Sequence, residues 1–178
     1  MGFRGIPGDG AMTFTDDMTL REARDELREL VDEGHRCPCC TQFAKVYRRN
    51  LPSASAQVMI ALYHAGGDRE FVFLPDVLET VGARTAHQGG YGTLGQFWGL
   101  MERQAGERED GSNRVGWWRL TALGRDFVLG RATVPKYARL YNGRCLGVSG
   151  EPITINAALG AKFDYRELMG WRWLEGSG

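Results

Sequence analysis

The sequence predicts a mixed α+β fold, organised as one main domain with a helix in front of it and a β-hairpin behind it. Apolar residues recur at helical spacing in several stretches, short runs of β-branched and aromatic residues separate them, and an Asn-Gly pair divides two β-rich arms. We expect a flexible leader over 1–16, a helix with a cysteine clip over 17–52, the main domain over 53–130, and a hairpin with a helical extension packed on it over 131–178. No apolar run approaches the ~18 residues that cross a bilayer, so we expect a cytoplasmic protein.

The first predicted helix lies in "TLREARDELRELVDEG". Thr19 and Glu22 have the spacing of a capping box, apolar residues return on one helical face, and Gly34 is placed to end the helix. The opposite face is highly charged, which is typical of a solvated surface.

Basic residues concentrate in two segments although the net charge of the chain is zero. Residues 34–67 contain four bases and no acid, and residues 111–150 contain seven bases and one acid. Within the first segment, "QFAKVYRRN" predicts a short helix that presents Lys45, Arg48 and Arg49. Segments that are separate in sequence can meet as one patch that attracts phosphate, and scattered surface arginines are the alternative.

The stretch "GHRCPCCTQFAKVYRRN" packs three of the four cysteines into four positions. Cys37 and Cys40 have the C-x-x-C spacing with which two thiolates approach one tetrahedral zinc ion. We therefore expect a structural zinc site, with His35 and Cys145 as candidates for the remaining two ligands.

Other completions of the zinc site remain open. Cys39, His64 and His87 are further candidate ligands, and a second chain can supply the same pair of cysteines. Thiols buried without a metal are an alternative, because free cysteine packs as a small hydrophobic residue. A redox function is disfavoured, because no βαβ pattern surrounds the C-x-x-C motif.

The main domain begins with a helix, "SASAQVMIALYHAGG", that starts at Ser53. A strand, "FVF", follows, and then a short helix from Pro75 to Gly82, a glycine-rich loop and a helical pattern over 93–104. A polar loop, the strand "VGWWRL" and a helix capped by Thr121 complete the series. This is the element order of a winged helix.

Two local features refine this prediction. Gly95 and Gly99 weaken the helical pattern but permit close packing. In a regular strand, Trp117 and Trp118 cannot both face the core, so one of them should be exposed or covered by another element.

The end of the chain predicts a hairpin and further helical turns. Asn142-Gly143 is the strongest local signal for a two-residue hairpin turn. Beyond it, "ITI" is typical of a strand, and Asn156 begins broken helical turns.

The segment "FWGLMERQAGEREDGSNRVGWWRLTALGRDFV" resembles the second half of a MarR-type winged helix, in which a recognition helix is followed by an acidic-arginine wing and a strand leading into "LT-x-x-G-x-x-F". The matching pieces are Gly99 to Arg103, Asp110 to Arg114 and Leu120 to Gly124. Together, "CPCCTQFAKVYRR", this pattern and "VPKYARLYNGRCLG" are similar to small proteins of tailed phages and prophages. The resemblance implies a phage origin.

The MarR-like resemblance implies a protein that binds double-stranded DNA in an accessory or regulatory role. Residues 91–104 would lie toward the major groove and residues 110–114 would form the wing. Gln96 can in principle read adenine, and arginines and lysines would contact phosphate. The candidate DNA-binding residues are Lys45, Arg48, Arg49, Tyr91, Thr93, Gln96, Arg114 and Arg119.

A second interpretation is a degenerate winged helix that binds a host or phage protein. The zero net charge and five tryptophans favour it, and it would expose an aromatic surface around Trp98, Trp117, Trp171 or Trp173. The glycine-rich stretches lack the context of a phosphate loop or a dinucleotide site, so we expect no enzymatic activity. A homodimer is compatible with either interpretation.

Overall fold

Helices and short antiparallel strands alternate along the chain, so the predicted mixed α+β class is confirmed. The structure is a computed structural model that describes residues 17–80, 91–106 and 116–170. The chain divides into two compact units, residues 1–47 and residues 48–178. Within the described ranges, no helix is both long enough and apolar enough to span a membrane.

The first unit begins with helix α1 (Leu20–Leu30). The predicted capping box is confirmed, since the Thr19 hydroxyl accepts from the backbone N–H of Glu22 at 3.3 Å and the Glu22 carboxylate accepts from the backbone N–H of Thr19 at 2.8 Å. Hydrogen bonds from the side chain and then the backbone of Thr19 hold the pKa of Glu22 below its ordinary value. Gly34 follows the helix with φ +97°, and its N–H bonds to the carbonyl of Leu30 at 3.1 Å.

A small hairpin follows, made of β1 (His35–Arg36) and β2 (Phe43–Ala44), and the next element is β3 (Tyr47–Asn50). The short helix predicted for "QFAKVYRRN" is therefore wrong. Aromatic and β-branched residues favour strands, and a nine-residue segment is too short to form a stable helix on its own. The backbone N–H of Val46 instead donates to the carbonyl of Val31 at 2.8 Å.

The second unit is built around helix α2 (Ser53–His64), which confirms the predicted helix. Seven of its residues are buried, and a helix that is apolar on nearly all sides needs neighbours all round. Those neighbours are the 3₁₀ helix Tyr91–Trp98 and the helices α3 (Leu74–Thr80), α4 (Ala122–Val128), α5 (Ile155–Leu159) and α6 (Tyr165–Gly170).

A three-stranded antiparallel sheet has the order β4 (Val72–Phe73), β6 (Trp117–Leu120), β5 (Met101–Arg103). Trp118 is buried, whereas Trp117 is half-buried, with its ring 5.6 Å from that of Phe73. The expectation that only one of the two tryptophans faces the core is therefore confirmed.

The helix predicted over 93–104 is wrong in its second half. The 3₁₀ helix ends at Trp98, Gly99 turns the chain with φ +67°, and β5 begins at Met101. The close packing expected at Gly95 is confirmed, because a Cβ there would lie 3.2 Å from the sulfur of Met101.

One corner joins the 3₁₀ helix, β5 and α4, and we call it the Leu100 corner (Gly99, Leu100, Thr121 and Gly124). The Thr121 hydroxyl accepts from the N–H of Gly124 at 3.0 Å, which confirms the predicted cap of α4, and donates to the carbonyl of Gly99 at 2.6 Å. The N–H of Thr121 donates to the carbonyl of Leu100 at 3.1 Å. A Cβ at Gly124 would lie 1.8 Å from that carbonyl oxygen, so this position requires glycine.

A second three-stranded sheet has the order β3, β7 (Val134–Tyr141), β8 (Arg144–Ile153). Asn142 and Gly143 join β7 to β8 with φ +47° and +72°, and the predicted hairpin is confirmed. The register of the β7–β8 pairing shifts twice, between Pro135 and Tyr137 and between Arg139 and Leu140.

The strand predicted for "ITI" ends at Ile153 and is wrong beyond it. Thr154 caps α5 instead, because its hydroxyl accepts from the N–H of Ala157 at 3.3 Å. The predicted broken helical turns are confirmed as α5, a 3₁₀ turn (Gly160–Lys162) and α6. The Tyr165 hydroxyl donates to the carbonyl of Val128 at 2.8 Å.

Several predictions fall outside the described residues. These are the leader over 1–16, the end of the short helix at Gly82, the part of the glycine-rich loop that contains His87, the wing over Asp110–Arg114, and the last two tryptophans, Trp171 and Trp173.

Replacing Gly124 with alanine should lower the free energy of unfolding by about 1–3 kcal/mol, because the new Cβ would overlap the Leu100 carbonyl. The midpoint of urea unfolding measures this change. Gly170→Ala is the control, since a Cβ there meets no atom within 4 Å. Equal midpoints for the two variants would contradict the role of the Leu100 corner.

Candidate nucleic-acid interface and metal site

A concave polar surface lies between the 3₁₀ helix and β5, and we call it the polar groove. It encloses about 540 Å³. Gln96 and Arg103 are exposed, and Thr93 is half-buried. The structure thus brings two predicted DNA-contacting residues together with an arginine. The lining residues are Thr93, Gln96, Arg103, Gln104, Ala105, Gly106 and Trp118.

The positions of Thr93, Gln96 and Arg103 follow from the Leu100 corner. If the helix continued through Arg103, the guanidinium group would lie further along the same helix as Gln96. Because the chain turns at Gly99, Arg103 instead reaches the groove from a strand. Sequence reasoning missed Arg103 as a groove residue, since the turn depends on the glycine and on the bonds to Thr121.

Arg119 was predicted to contact phosphate, and the structure shows it bonded to protein groups. Its Nε donates to Glu102 Oε1 at 2.6 Å, across the β5–β6 pair. Its guanidinium carbon lies 4.6 Å from the centroid of the Phe71 ring. An exposed ion pair of this kind contributes up to about 1 kcal/mol, so a phosphate would have to compete with it.

Two further predicted residues have no described side chain. Tyr91 begins the 3₁₀ helix, but only its backbone is described, and Arg114 lies outside the described residues. Their contact with DNA stays a prediction.

The sheet formed by β3, β7 and β8 carries five basic residues and one acidic residue, and we call it the basic sheet. The bases are Arg48, Arg49, Lys136, Arg139 and Arg144, and the acid is Glu151. The sequence analysis did not name Lys136, Arg139 and Arg144 as individual sites, although the excess of bases over 111–150 indicated a basic surface in that segment. This sheet belongs to the same unit as the polar groove.

The faces of the basic sheet follow from strand alternation. On β7, Ala138 is buried and Leu140 packs on the core, so Tyr137, Arg139 and Tyr141 lie on the outer face. Residues directly opposite each other share a face, and Arg144 pairs with Tyr141. Two arginines and two tyrosines therefore lie on the outer face.

The predicted basic helix is replaced by a different arrangement. Arg48 and Arg49 are both exposed on β3, where neighbouring side chains point to opposite faces. One of them shares the outer face of the basic sheet and the other does not. Lys45 lies before β3, half-buried, with its aliphatic chain over Gly34.

The cysteine hairpin is formed by residues 35–44, and a network of bonds fixes its tip. The N–H of Cys37 donates to the carbonyl of Gln42 at 2.8 Å, and the N–H of Thr41 donates to the carbonyl of Cys37 at 2.8 Å. Thr41 has φ +60°, and Arg36 Nη1 donates to its carbonyl at 3.2 Å. The tip thus has a defined backbone.

The Cys37 sulfur lies in an environment that favours the thiolate. The backbone N–H of Cys40, followed by the backbone N–H of Cys39 and the Cys40 thiol, holds the pKa of Cys37 below its ordinary value. Such N–H groups stabilise a negatively charged sulfur, which is the form that binds a metal. Cys37 and Cys40 therefore form a coherent pair of donors.

The other candidate zinc ligands have their own contacts. The Cys145 thiol, in β8, donates to the carbonyls of Gly147 at 3.5 Å and Phe97 at 3.7 Å. The His64 ring lies 3.0 Å from the carbonyl of Leu168. Within the residues that the structure describes, no three His, Cys, Asp or Glu side chains are grouped so that they could hold a metal.

Zinc binding by a set that includes His35 and Cys145 stays a prediction. Among the described residues, Cys37 and Cys40 provide two of the four ligands of a tetrahedral site. All four cysteines of the chain are free thiols.

Comparisons with the models of known protein families, with curated proteins and with solved structures give no match.

In metal-free protein, Cys37 should react with iodoacetamide at lower pH when the protein is folded than when it is unfolded in urea. A lowered pKa means that thiolate forms earlier as the pH rises. Mass spectrometry of the peptide that contains Cys37, after brief alkylation across a pH series, measures the midpoint in each state. Coincident midpoints would show that the N–H groups do not act on this sulfur.

Proposed function

We propose that residues 53–130 form a winged helix and that the protein binds double-stranded DNA in an accessory or regulatory role. The order from α2 through β4, α3, the 3₁₀ helix, β5 and β6 supports the winged-helix assignment. The antiparallel sheet order β4-β6-β5 supports it as well. The phage-protein resemblance suggests that the gene is carried by a phage.

The polar groove is the observation that carries this proposal. In a winged helix, the element before the second strand approaches DNA and the wing follows that strand. The 3₁₀ helix supplies Thr93 and Gln96 at this position, and β5 supplies Arg103 at the base of the expected wing. An amide that can pair with a base edge and a guanidinium that can bind phosphate suit a duplex.

The basic sheet supports the proposal through charge. A zero net charge does not prevent binding, because local charge decides whether phosphate is attracted. Five bases against one acid provide a local positive field, and the outer tyrosines add polar groups beside it. Cations on such a surface would displace counterions from DNA and make binding depend on salt.

The alternative function is a protein-interaction module, for which an exposed aromatic surface around the tryptophans is expected. Trp98 is buried, and its indole N–H donates to the carbonyl of Pro135 at 2.6 Å. Trp117 packs against Phe73, and Trp118 is buried. Among the described residues, the tryptophans therefore give this alternative no support.

The protein should bind a labelled random-sequence duplex, with an affinity that falls steeply between low and moderate salt. Fluorescence anisotropy measures the salt slope. Replacing Arg48 and Arg49 with alanine should weaken binding to all sequences and reduce the slope by about one, since one of the two lies on the outer face of the basic sheet and each lost phosphate contact removes about one. A folded protein that binds no duplex at low salt would contradict the proposal and favour a protein partner.

The matched control removes equal charge from exposed positions elsewhere in the same unit. Arg69→Ala combined with Arg166→Ala should leave the affinity and the slope nearly unchanged. If this control weakened binding as much as the β3 variant did, the effect would be one of net charge, and the basic sheet would have no specific role.

The polar groove should control sequence preference. Gln96→Ala should reduce discrimination among duplexes by about 1–3 kcal/mol at one position, because a bidentate amide–adenine contact is lost. Selection of preferred duplexes from a random pool, repeated with the variant, measures this loss. Identical preferences in both proteins would exclude Gln96 from base contact.

A further inference from the structure

The tip of the cysteine hairpin presents two sulfurs from a fixed backbone. The bonds between Cys37 and Gln42 and between Thr41 and Cys37, each 2.8 Å, close the turn that carries Cys37 and Cys40. Cys40 is exposed and Cys37 is half-buried. The pair is thus both ordered and accessible to another molecule.

The chemistry of this pair favours zinc. Thiolate sulfur is a soft ligand that selects zinc over magnesium or calcium, and structural zinc takes four ligands in a tetrahedron at about 2.3 Å. Two cysteines at C-x-x-C spacing fill half of that tetrahedron. Two more donors are required for a closed site.

We infer that two copies of the chain share one zinc ion, each copy contributing Cys37 and Cys40. A two-fold axis through the ion would place the same two sulfurs of the second copy on the open side of the tetrahedron. Exposure of the tip allows this approach, since Pro38, Cys39, Cys40 and Thr41 are all exposed. This inference does not depend on DNA binding.

The charge around the tip supports a site with four thiolates. Such a site carries a net charge of −2, because four thiol protons pass to solvent when the ion binds. Arg36 lies at the tip, and its guanidinium donates to the Thr41 carbonyl at 3.2 Å. Two copies bring two such arginines, which offset this charge. The cysteine hairpin itself contains no acidic residue.

The test uses the full chain, loaded with zinc and then freed of excess metal. Atomic emission should give one zinc per two chains, and light scattering should give a dimer that becomes a monomer when a strong chelator removes the zinc. One zinc per monomeric chain, no bound zinc, or a dimer that persists after the metal has been removed would each overturn the inference.

Cysteine variants test which residues hold the ion. Cys37→Ser and Cys40→Ser should each lose both the zinc and the dimer, whereas the controls Cys39→Ser and Cys145→Ser should keep both. Loss of zinc in either control would assign the site to a different set of ligands and contradict the shared site.

A measurement on the wild-type chain tests the shared site even if the Cys37 variant does not fold. Cobalt substituted for zinc should give the absorption of a tetrahedral ion bound by four thiolates, at one cobalt per two chains. A spectrum with fewer thiolates, or a six-coordinate spectrum, would overturn the inference.

Discussion

The Leu100 corner is the constraint on which the candidate DNA-binding surface depends. Leu100 is fully buried, its carbonyl accepts the N–H of Thr121, and the carbonyl of Gly99 accepts the Thr121 hydroxyl at 2.6 Å. These contacts end the 3₁₀ helix, start β5 and dock the first turn of α4 at one place. The polar groove exists because the chain turns here, since that turn brings Arg103 back beside Thr93 and Gln96.

The two units of the chain are stabilised in different ways. The second unit has a continuous core around α2, and the basic sheet and the polar groove are both built on elements that pack against that core. Among the described residues of the first unit, the buried apolar side chains are Ala23, Ala44 and Val46. These few side chains supply little hydrophobic stabilisation to the described part of the unit, and small domains with little core often use a metal or a partner chain. A zinc ion shared at the cysteine hairpin would supply both.

Elements specified by local chemistry could be predicted from the sequence. The capping box at Thr19 and Glu22, the Asn142-Gly143 turn and the cap at Thr121 each depend on a few neighbouring residues. The second half of the helix predicted over 93–104 and the helix predicted around Lys45 are wrong, because the structure of both segments depends on partners that are distant in sequence. The chain turns at Gly99, where the Thr121 hydroxyl donates a hydrogen bond to the Gly99 carbonyl. The segment "QFAKVYRRN" is extended because its β2 part pairs with β1 and its β3 part pairs with β7.

The candidate sites show the same division. Cys37 and Cys40 could be paired from their spacing alone, and the structure adds the N–H groups that favour the thiolate. The basic segments could be counted from the sequence, but the counts did not reveal that Arg48 and Arg49 point to opposite faces, or that Arg139 and Arg144 share the outer face. The ion pair between Arg119 and Glu102 could not be predicted without knowing the register of β5 and β6.

The most direct test of the proposed DNA-binding surface is an amide chemical-shift titration of isotope-labelled protein with a short duplex. We expect the largest shifts at Thr93, Gln96 and Arg103 and along the basic sheet, with small shifts in α6. Shifts confined to α6 and α3, with the groove and the sheet unchanged at saturating duplex, would contradict the proposed interface.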